Sequence, residues 1–177
     1  MKKPARYENV KPEDLPKEIL ALVKTAKETR RGIYIFGPVG SGKTHIAYAI
    51  AEYAEQELKT VVQVYNVTEM LASFRSDFDQ HWSNRENIDR RLKEFKGLLI
   101  LDDIGAEKPT EWVAETLYRI INQRYNDMLP TVFTSNLSLS ELAPQIGDRT
   151  ASRIAGGCDV VQLTGDDRRV TGSKITL

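Results

Sequence analysis

The segment Gly37-Pro38-Val39-Gly40-Ser41-Gly42-Lys43-Thr44 matches the pattern G-x-x-x-x-G-K-[ST] at every fixed position. An apolar, β-prone run at 33–36 precedes it, and an alanine-rich stretch at 47–51 follows it, which predicts a strand, a glycine loop and a helix. Such a loop binds anions because backbone N–H groups turn inward and the helix dipole adds positive charge. Lys43 can then reach the β- and γ-phosphates, and the Thr44 hydroxyl can ligate Mg²⁺. We assign the phosphate site to Gly37, Pro38, Val39, Gly40, Ser41, Gly42, Lys43, Thr44 and His45.

The composition fits a single globular domain. The chain has 177 residues, of which 41% are hydrophobic. Its 25 basic and 25 acidic residues cancel, so any contact with nucleic acid has to be local. The single cysteine, Cys158, excludes an intramolecular disulfide and a cysteine-cluster zinc site. No run is apolar enough to cross a membrane, and the basic start lacks the apolar stretch of a signal peptide, so we expect a cytoplasmic protein with no membrane partner.

Predicted strands and helices alternate along the chain. Apolar runs predict strands at 33–36, 61–65, 98–101, 131–134 and 160–163. Helical spacing of apolar residues predicts further helices at about 17–30, 67–78, 87–95, 111–126 and 148–155. This alternation predicts an α/β fold with a mostly parallel, five-stranded sheet, helices on both faces and a ligand at the carboxyl ends of the strands. We divide the chain into an extended, proline-containing lead-in at 1–16 and a domain at 17–177 with a helical insertion at about 66–96.

Two acids follow the predicted third strand and should emerge beside the phosphate loop. Asp102 can hold the Mg²⁺ that bridges the phosphates, and Asp103 can orient or deprotonate the attacking water. The alternative is a pair of acids that caps a strand-to-loop turn. Where most hydrolytic relatives carry Glu, this chain has Asp103, which reaches one methylene less far. Because a misplacement of about 1 Å can cost on the order of 100-fold in rate, we expect slow hydrolysis.

Three further polar residues are candidates for the reaction. Asn136 ends the fourth strand and would lie between the two motif strands if the sheet has the order of additional-strand P-loop proteins. It can then hold the nucleophilic water, although a lone Asn is more often a turn residue. Arg149 and Arg153 lie four apart on a predicted helix, where one of them can act on a neighbouring subunit's nucleotide. The alternative is a solvated basic face that pairs with nearby acids.

Taken together, these motifs resemble a known family. Tyr7–Val10, Gly37–Thr44, Leu99–Gly105, Thr134–Asn136 and Gly147–Ile154 follow one another in the order seen in AAA+ ATPases. The resemblance is to bacterial replicative helicase loaders of the DnaC/DnaI type and to IstB-type transposition helper ATPases, and it covers nearly the whole chain. It implies an AAA+ P-loop fold that binds ATP or ADP with Mg²⁺. The partners it implies are a replicative helicase, single-stranded DNA, copies of the same chain assembled by ATP, and an initiator protein.

The resemblance also implies residue roles. Asp102 corresponds to the Mg²⁺-site acid, Asp103 to the water-activating acid and Asn136 to the sensor. Arg149 corresponds to the finger that acts across a subunit interface, with Arg153 as a second candidate. The lead-in residues Tyr7 and Val10 correspond to a segment near the adenine.

In this family the insertion between the second and third strands lines a channel for single-stranded DNA. Aromatic side chains can stack on bases and cations can meet phosphates, which makes Arg75, Phe78, Thr110 and Trp112 the candidate DNA contacts. The alternative is that Phe74 and Phe78, four residues apart, pack into the core.

Some features depart from the family pattern. Family loaders carry an amino-terminal helicase-binding region that has no counterpart in this sequence, so we expect an isolated ATPase domain or a naturally short homologue. Since few residues follow the fifth strand, we also expect no full carboxyl-terminal lid domain. Arg168 and Arg169 lie where the family has an end-of-domain arginine. Two rival functions stay open: a transposition helper with the same chemistry, and a small-molecule P-loop kinase, for which no lid with clustered arginines is evident.

Overall fold

A computed structural model describes residues 3–80 and 90–164, which form a five-stranded sheet with helices on both faces. The strands are β1 (Gly32–Phe36), β2 (Val62–Asn66), β3 (Leu98–Asp102), β4 (Thr131–Ser135) and β5 (Cys158–Gln162). The helices are α1 (Lys17–Thr29), α2 (Lys43–Gln56), α3 (Val67–Gln80), α4 (90–94), α5 (Glu111–Asn126), α6 (Leu139–Ile146) and α7 (Asp148–Gly157). The predicted α/β class is confirmed.

The strands are parallel and lie in the order β2-β3-β4-β1-β5. β4 therefore separates β1, which leads into the phosphate loop, from β3, which ends in Asp102. This is the strand order of additional-strand P-loop proteins, and it places Asn136 between the two strands that carry the motifs, as the sequence led us to expect for this order. All strands end at the same edge of the sheet, which we call the nucleotide edge, and they begin at the opposite edge.

Alternating side chains of the strands feed two hydrophobic cores. On β1, Ile33 and Ile35 pack with α1 and α2, while Tyr34 points to the other face and packs with α3, α5, α6 and α7. All three side chains are at most 1% exposed. Strands buried on both faces read as continuous apolar runs, which is why the sequence pattern identified them.

The lead-in differs from the extended segment that was predicted. It contains two short 3-10 turns, Ala5–Tyr7 and Pro12–Asp14. Pro12 takes the first position of the second turn, where its fixed φ is favourable, and the Asp14 carboxylate accepts a 3.0 Å hydrogen bond from the Lys11 backbone N–H. Prolines here start turns rather than keep the chain extended.

Two other elements differ from the prediction. Helix α6 was not predicted; Ser138 caps it, with Ser138 N–H donating to Glu141 Oε2 at 2.8 Å and Glu141 N–H donating back to Ser138 Oγ at 3.4 Å. Strand β5 begins at Cys158, two residues earlier than expected, because Cys158 pairs with Gly32 at the start of β1.

Some predictions fall outside the described residues. They are the start of the 87–95 helix, the expected lack of a full lid domain, and the roles of Arg168 and Arg169. The side chain of Phe78 is not described either. Within the described ranges, no helix has the length and apolarity needed to cross a bilayer.

Candidate nucleotide site

The phosphate loop joins the end of β1 to the start of α2, as predicted. Gly42 is the residue before α2 and has φ 96°, a left-handed conformation that glycine adopts without steric cost. It provides no side chain to cap the helix, and the first turn of α2 carries no acid. The N–H groups and the positive end of the dipole at this terminus are therefore oriented to receive an anion.

Lys43 is held inside this loop. Its side chain is 7% exposed, and Nζ donates to Gly37 O at 2.8 Å, to Pro38 O at 2.7 Å and to Ser41 Oγ at 3.4 Å. All three of these acceptors are neutral oxygens. A phosphate in the loop would be a stronger acceptor than a carbonyl.

Thr44, in the first turn of α2, meets Asp102, the last residue of β3. Thr44 Oγ1 donates to Asp102 Oδ2 at 3.2 Å, and Asp102 is 6% exposed. Burial raises the pKa of the Asp102 carboxyl, although hydrogen bonds from the Thr134 and Thr44 hydroxyls work in the opposite direction. A cation at this carboxylate would reverse that direction.

This donor set fits Mg²⁺. Magnesium is commonly held by one or two carboxylates together with substrate phosphates and waters rather than by an all-protein cage. Thr44 and Asp102 supply one hydroxyl and one carboxylate beside the phosphate loop. Among residues 3–80 and 90–164, no cluster of three or more His, Cys, Asp or Glu side chains could hold a metal by itself. The protein's share of the site is therefore suited to an ion that arrives with a nucleotide.

Asp103 adopts a left-handed backbone conformation, with φ 62°. Its N–H donates to Thr134 Oγ1 at 2.9 Å, and its Oδ1 accepts a 3.1 Å hydrogen bond from Asn136 Nδ2. A residue other than glycine with positive φ is uncommon, although Asp is among those that tolerate it best. The turn brings the Asp103 carboxylate within hydrogen-bond distance of the amide of Asn136, the residue that follows β4.

Gly105 completes this turn. Its φ is 88°, and a Cβ at this position would lie 2.6 Å from Leu142 Cδ1 on α6. Ser135 Oγ donates to Ile104 O at 2.6 Å, which fastens the turn to β4. The Asp-Asp-Ile-Gly sequence therefore has a steric reason for its glycine.

The two predicted arginines lie on α7 but have different surroundings. Arg153 Nε donates to Asn122 Oδ1 at 3.1 Å, and its guanidinium lies 4.9 Å from the ring centre of Tyr125, both on α5. Arg149 is exposed. In the described part of the chain no hydrogen bond or ion pair joins either arginine to Lys43, Thr44, Asp102 or Asp103.

The lead-in packs against α2, the helix that starts at the phosphate loop. The Tyr7 and Tyr48 rings stack with centroids 4.7 Å apart, and His45 Nε2 lies 3.0 Å from Asp14 Oδ2. Val10 is 5% exposed and belongs to the core beneath α2. The structure thus brings Tyr7 and Val10 to the helix that carries Lys43, Thr44 and His45.

Of the candidate DNA contacts, Arg75 and Trp112 form a pair. The Arg75 guanidinium lies 4.8 Å from the ring centre of Trp112, which joins α3 to the start of α5. Thr110 caps α5, since its hydroxyl accepts a 3.3 Å hydrogen bond from Val113 N–H. Phe74 is 2% exposed and is a core residue, which agrees with the alternative that this aromatic side chain packs into the core rather than contacts DNA.

Sequence reasoning missed two residues at this edge. Thr134 contacts both acids, because Oγ1 donates to Asp102 Oδ1 at 2.6 Å while accepting from Asp103 N–H. Tyr48 provides the ring on which Tyr7 stacks. Thr134 stands directly before Ser135-Asn136, but only the pairing of β3 with β4 shows which acids it reaches.

The fold and this arrangement of residues define an AAA+ P-loop nucleotide-binding protein. The chain belongs to the IstB-like ATP-binding protein family, whose sequence pattern matches residues 5–175. This confirms the family resemblance drawn from the motifs.

Similar proteins act in DNA replication. The replicative helicase loader DnaI of Bacillus subtilis is 34% identical over an alignment of 165 residues, which covers 83% of this chain and 51% of that protein. The chromosomal replication initiator DnaA of Lactobacillus johnsonii is 33% identical over 136 residues, 76% of this chain and 29% of that protein. The chain therefore spans about half the length of DnaI and under a third of DnaA.

Solved structures of such proteins share the fold. A DnaC helicase loader superposes with a TM-score of 0.78 at 20% identity, covering 91% of this chain and 100% of that one. A replication initiator DnaA bound to AMPPCP and single-stranded DNA gives 0.75 at 22% identity, covering 92% of this chain and 51% of that one. At these identities the likeness shows the fold alone, an α/β AAA+ sheet.

Proposed function

We propose that this chain is an ATP-hydrolysing domain of a helicase loader that assembles on single-stranded DNA during replication initiation. The observation that carries the proposal is the meeting of Lys43, the Thr44–Asp102 pair and the Asp103–Asn136 pair at one edge of the sheet. These groups have the chemistry of phosphate binding, metal binding and water activation, in that order. The relation to helicase loaders and initiators supports the biological setting.

Lys43 and the start of α2 bind the triphosphate in this account. The ammonium of Lys43 turns from the Gly37 and Pro38 carbonyls toward the β- and γ-phosphates, where it meets negative charge instead of neutral oxygen. Tyr7, Val10 and His45 are the proposed residues of the adenosine portion of the site. Among the remaining loop residues, Val39, Gly40 and Gly42 would offer backbone N–H donors. Pro38 has no N–H, and the N–H groups of Gly37 and Ser41 donate to Ser135 O and Pro38 O at 3.3 Å.

Thr44 and Asp102 would hold Mg²⁺ through a hydroxyl and a carboxylate. The ion supplies neutralisation of the charge that develops on the phosphate oxygens. Asp102 is kept in place for this by Thr134, which occupies its other oxygen at 2.6 Å.

Asp103 and Asn136 act on water. The Asp103 carboxylate accepts a proton from the attacking water, and the Asn136 amide fixes the direction of that carboxylate through its 3.1 Å hydrogen bond. With one methylene less than Glu, Asp103 holds the water less closely, so the proposed hydrolysis is slow.

Arg149 is the proposed finger across the subunit interface. It is exposed on α7, whereas Arg153 is occupied by Asn122 and Tyr125 on its own chain. A guanidinium placed on a neighbour's γ-phosphate stabilises the transition state and makes the assembled form dependent on ATP. The proposed assembly is therefore a homo-oligomer with each nucleotide between two subunits.

The proposed path of single-stranded DNA follows the Arg75–Trp112 pair and the Thr110 helix start, with Phe78 nearby in sequence. Aromatic rings offer stacking surfaces and cations meet phosphates. A replicative helicase is the proposed client and an initiator protein a further partner, by analogy with the relatives' roles.

The family match favours one second candidate. An IstB-type transposition helper would use the same site for a transposase instead of a helicase. The two candidates differ in the protein that they bind. In a pull-down with ATP, a loader should retain a purified replicative helicase, and a transposition helper should retain the transposase. A small-molecule kinase has no support from the replication relatives.

Calorimetry with ATP and Mg²⁺ tests the nucleotide assignment. Wild-type protein should bind, and Lys43→Ala should lose most of the affinity while remaining folded. Lys24→Ala, an exposed lysine on α1, is the matched control. Unchanged ATP affinity and turnover in Lys43→Ala would overturn the proposal.

A further inference from the structure

The edge at which the strands begin carries a groove made of two adjoining cavities of about 300 and 230 Å³. The larger one lies between the ends of α1 and α2 and the starts of β1, β3 and β4. Its apolar walls are formed by Val23, Ile33, Ile50, Leu58, Leu98 and Val132. The smaller one continues past α5 to the end of α7, and both share Arg30, Arg31, Met128 and Leu129. We call this two-part cavity the amino-edge groove.

The charged residues that line the amino-edge groove are all basic. Lys27, Arg30, Arg31, Lys96 and Arg124 line it, and no Asp or Glu does among the described residues. Arg31 is neutralised by Asp159, with Nε 2.8 Å from Oδ1. Lys27, Arg30 and Lys96 are exposed, and the described parts of the chain offer their nitrogens no carboxylate partner.

Helix ends explain only part of this charge. α1, α2 and α5 all end at this edge, and basic residues at helix carboxyl ends are favourable by themselves. Lys59 fits that role, because its Nζ donates to the Gln56 carbonyl at the end of α2. Lys27, Arg30 and Lys96 make no such bond within the described residues. Their charge is therefore available at the rim of the groove.

Met128 at the mouth of the groove has an unusual backbone. Its φ is 51°, a left-handed value that favours glycine. Met128 is also 56% exposed. Tyr125, which lines the smaller cavity, is 37% exposed. A flexible thioether and an aromatic ring beside an apolar cavity are typical of surfaces that receive a partner's apolar side chains.

We propose that the amino-edge groove docks an acidic, amphipathic helical segment of a partner protein. Its apolar side chains would enter the two cavities, and its carboxylates would meet Lys27, Arg30 and Lys96. An elongated groove with two pockets and a basic rim suits a peptide with spaced apolar anchors. Strands of five residues at about 3.3 Å per residue put the groove roughly 17 Å from the nucleotide edge, so this docking is separate from nucleotide and DNA binding and goes beyond the proposed function.

Fluorescence anisotropy on the 177-residue chain tests the proposal. The probe is a labelled helical peptide of about 18 residues with Leu and Phe at helical spacing and Glu elsewhere, and the control peptide has Lys in place of Glu. We expect the acidic peptide to bind, salt to weaken it, and saturating ATP to leave it unchanged. Arg30→Glu combined with Lys96→Glu should weaken binding by about tenfold or more. Lys24→Glu, an exposed change on α1 outside the groove, should not.

Met128→Gly separates docking from folding. It relieves the left-handed strain, so the melting temperature should rise, yet it removes an apolar contact, so peptide affinity should fall about threefold or more. Failure of the acidic peptide to bind, equal binding of the basic peptide, or equal loss in Lys24→Glu would overturn the proposal. So would saturation by decanoate without any peptide binding, which would mark a small-molecule site instead. A loss of ATP binding in Lys43→Ala bears on the nucleotide site alone.

Discussion

Thr134 on β4 donates a 2.6 Å hydrogen bond from its hydroxyl to Oδ1 of Asp102 on β3. The hydroxyl oxygen of Thr134 also accepts a 2.9 Å hydrogen bond from the Asp103 N–H, so the Thr134 side chain fixes the position of both acids. Thr134 is 1% exposed and Asp102 is 6% exposed, so both residues are buried. The positions of Asp102, the proposed Mg²⁺-site acid, and of Asp103, the proposed water-activating acid, therefore depend on the pairing of β3 with β4.

Thr134→Val should damage both stability and hydrolysis. The substitution keeps the shape but leaves Asp102 Oδ1 and Asp103 N–H without this partner, at about 1–3 kcal/mol for each buried group. Urea unfolding and phosphate release measure the two effects. Thr116→Val is the matched control, because Thr116 is 2% exposed and its hydroxyl has no partner among the described residues. That control should be neutral or stabilising, and equal effects of the two changes would contradict the role of Thr134.

Arg124→Lys should destabilise the domain by about 2–5 kcal/mol, since a three-donor ammonium cannot replace the guanidinium fork. Arg124 is 1% exposed; its nitrogens donate to the carbonyls of Leu92, Phe95, Gly97 and Pro130 and to the Thr131 hydroxyl. It thereby ties the end of the insertion to the start of β4. Burial lowers the pKa of its guanidinium to about 10, so it stays protonated at neutral pH. Urea unfolding measures the loss, and Arg119→Lys on the same helix is the control; equal stability of the two variants would contradict this account.

Arg149→Ala and Arg153→Ala should behave differently. Arg149→Ala should bind ATP and keep its melting temperature but lose turnover, because in the proposed assembly the Arg149 guanidinium would act on the neighbour's nucleotide. Arg153→Ala should lower the melting temperature, because Asn122 and Tyr125 lose their contact. Mixing Arg149→Ala with Lys43→Ala should restore part of the phosphate release at mixed interfaces. Absence of rescue at every mixing ratio would place Arg149 within its own subunit's site.

Single-stranded DNA binding should depend on the Arg75–Trp112 pair and on ATP. Loss of one stacked base is worth about 1–3 kcal/mol, so Trp112→Ala and Phe78→Ala should each weaken binding of an oligo-dT probe measurably in anisotropy. Trp112→Phe keeps a stacking surface and should lose less. Thr110→Ala should cost about 1 kcal/mol of stability through the lost helix cap. If folded Trp112→Ala binds like wild type in the presence of ATP, the DNA path lies elsewhere.

Much of the fold could be predicted from local patterns. Strands buried on both faces gave continuous apolar runs, and Thr110–Asn126 had both a cap and helical spacing. Helix α6 was missed although Ser138 and Glu141 form a capping box, because Pro144 inside the helix weakens the helical pattern. The start of β5 was placed late because its register comes from Gly32 on a strand 126 residues away (158 − 32).

Candidate site residues could be predicted from the sequence where one motif contains them. Contacts between distant segments of the chain could not. Lys43, Thr44, Asp102 and Asp103 could be named from their motifs alone. Other features depend on residues about 31 positions apart, which no local pattern shows. They are the turn at Asp103, the hydrogen bonds of Thr134 to both acids and the hydrogen bond of Arg153 to Asn122. Equivalent spacing on α7 therefore concealed a difference between Arg149 and Arg153.

The most direct test of the proposed ATPase is a comparison of ATP binding and hydrolysis in Asp103→Asn. Asparagine keeps the size of the side chain but cannot accept the water's proton, so the account predicts ATP affinity close to wild type and phosphate release lowered by about 100-fold or more. Calorimetry and a phosphate-release assay on the same protein samples measure the two quantities. Phosphate release by Asp103→Asn at the wild-type rate, with ATP bound, would contradict the account.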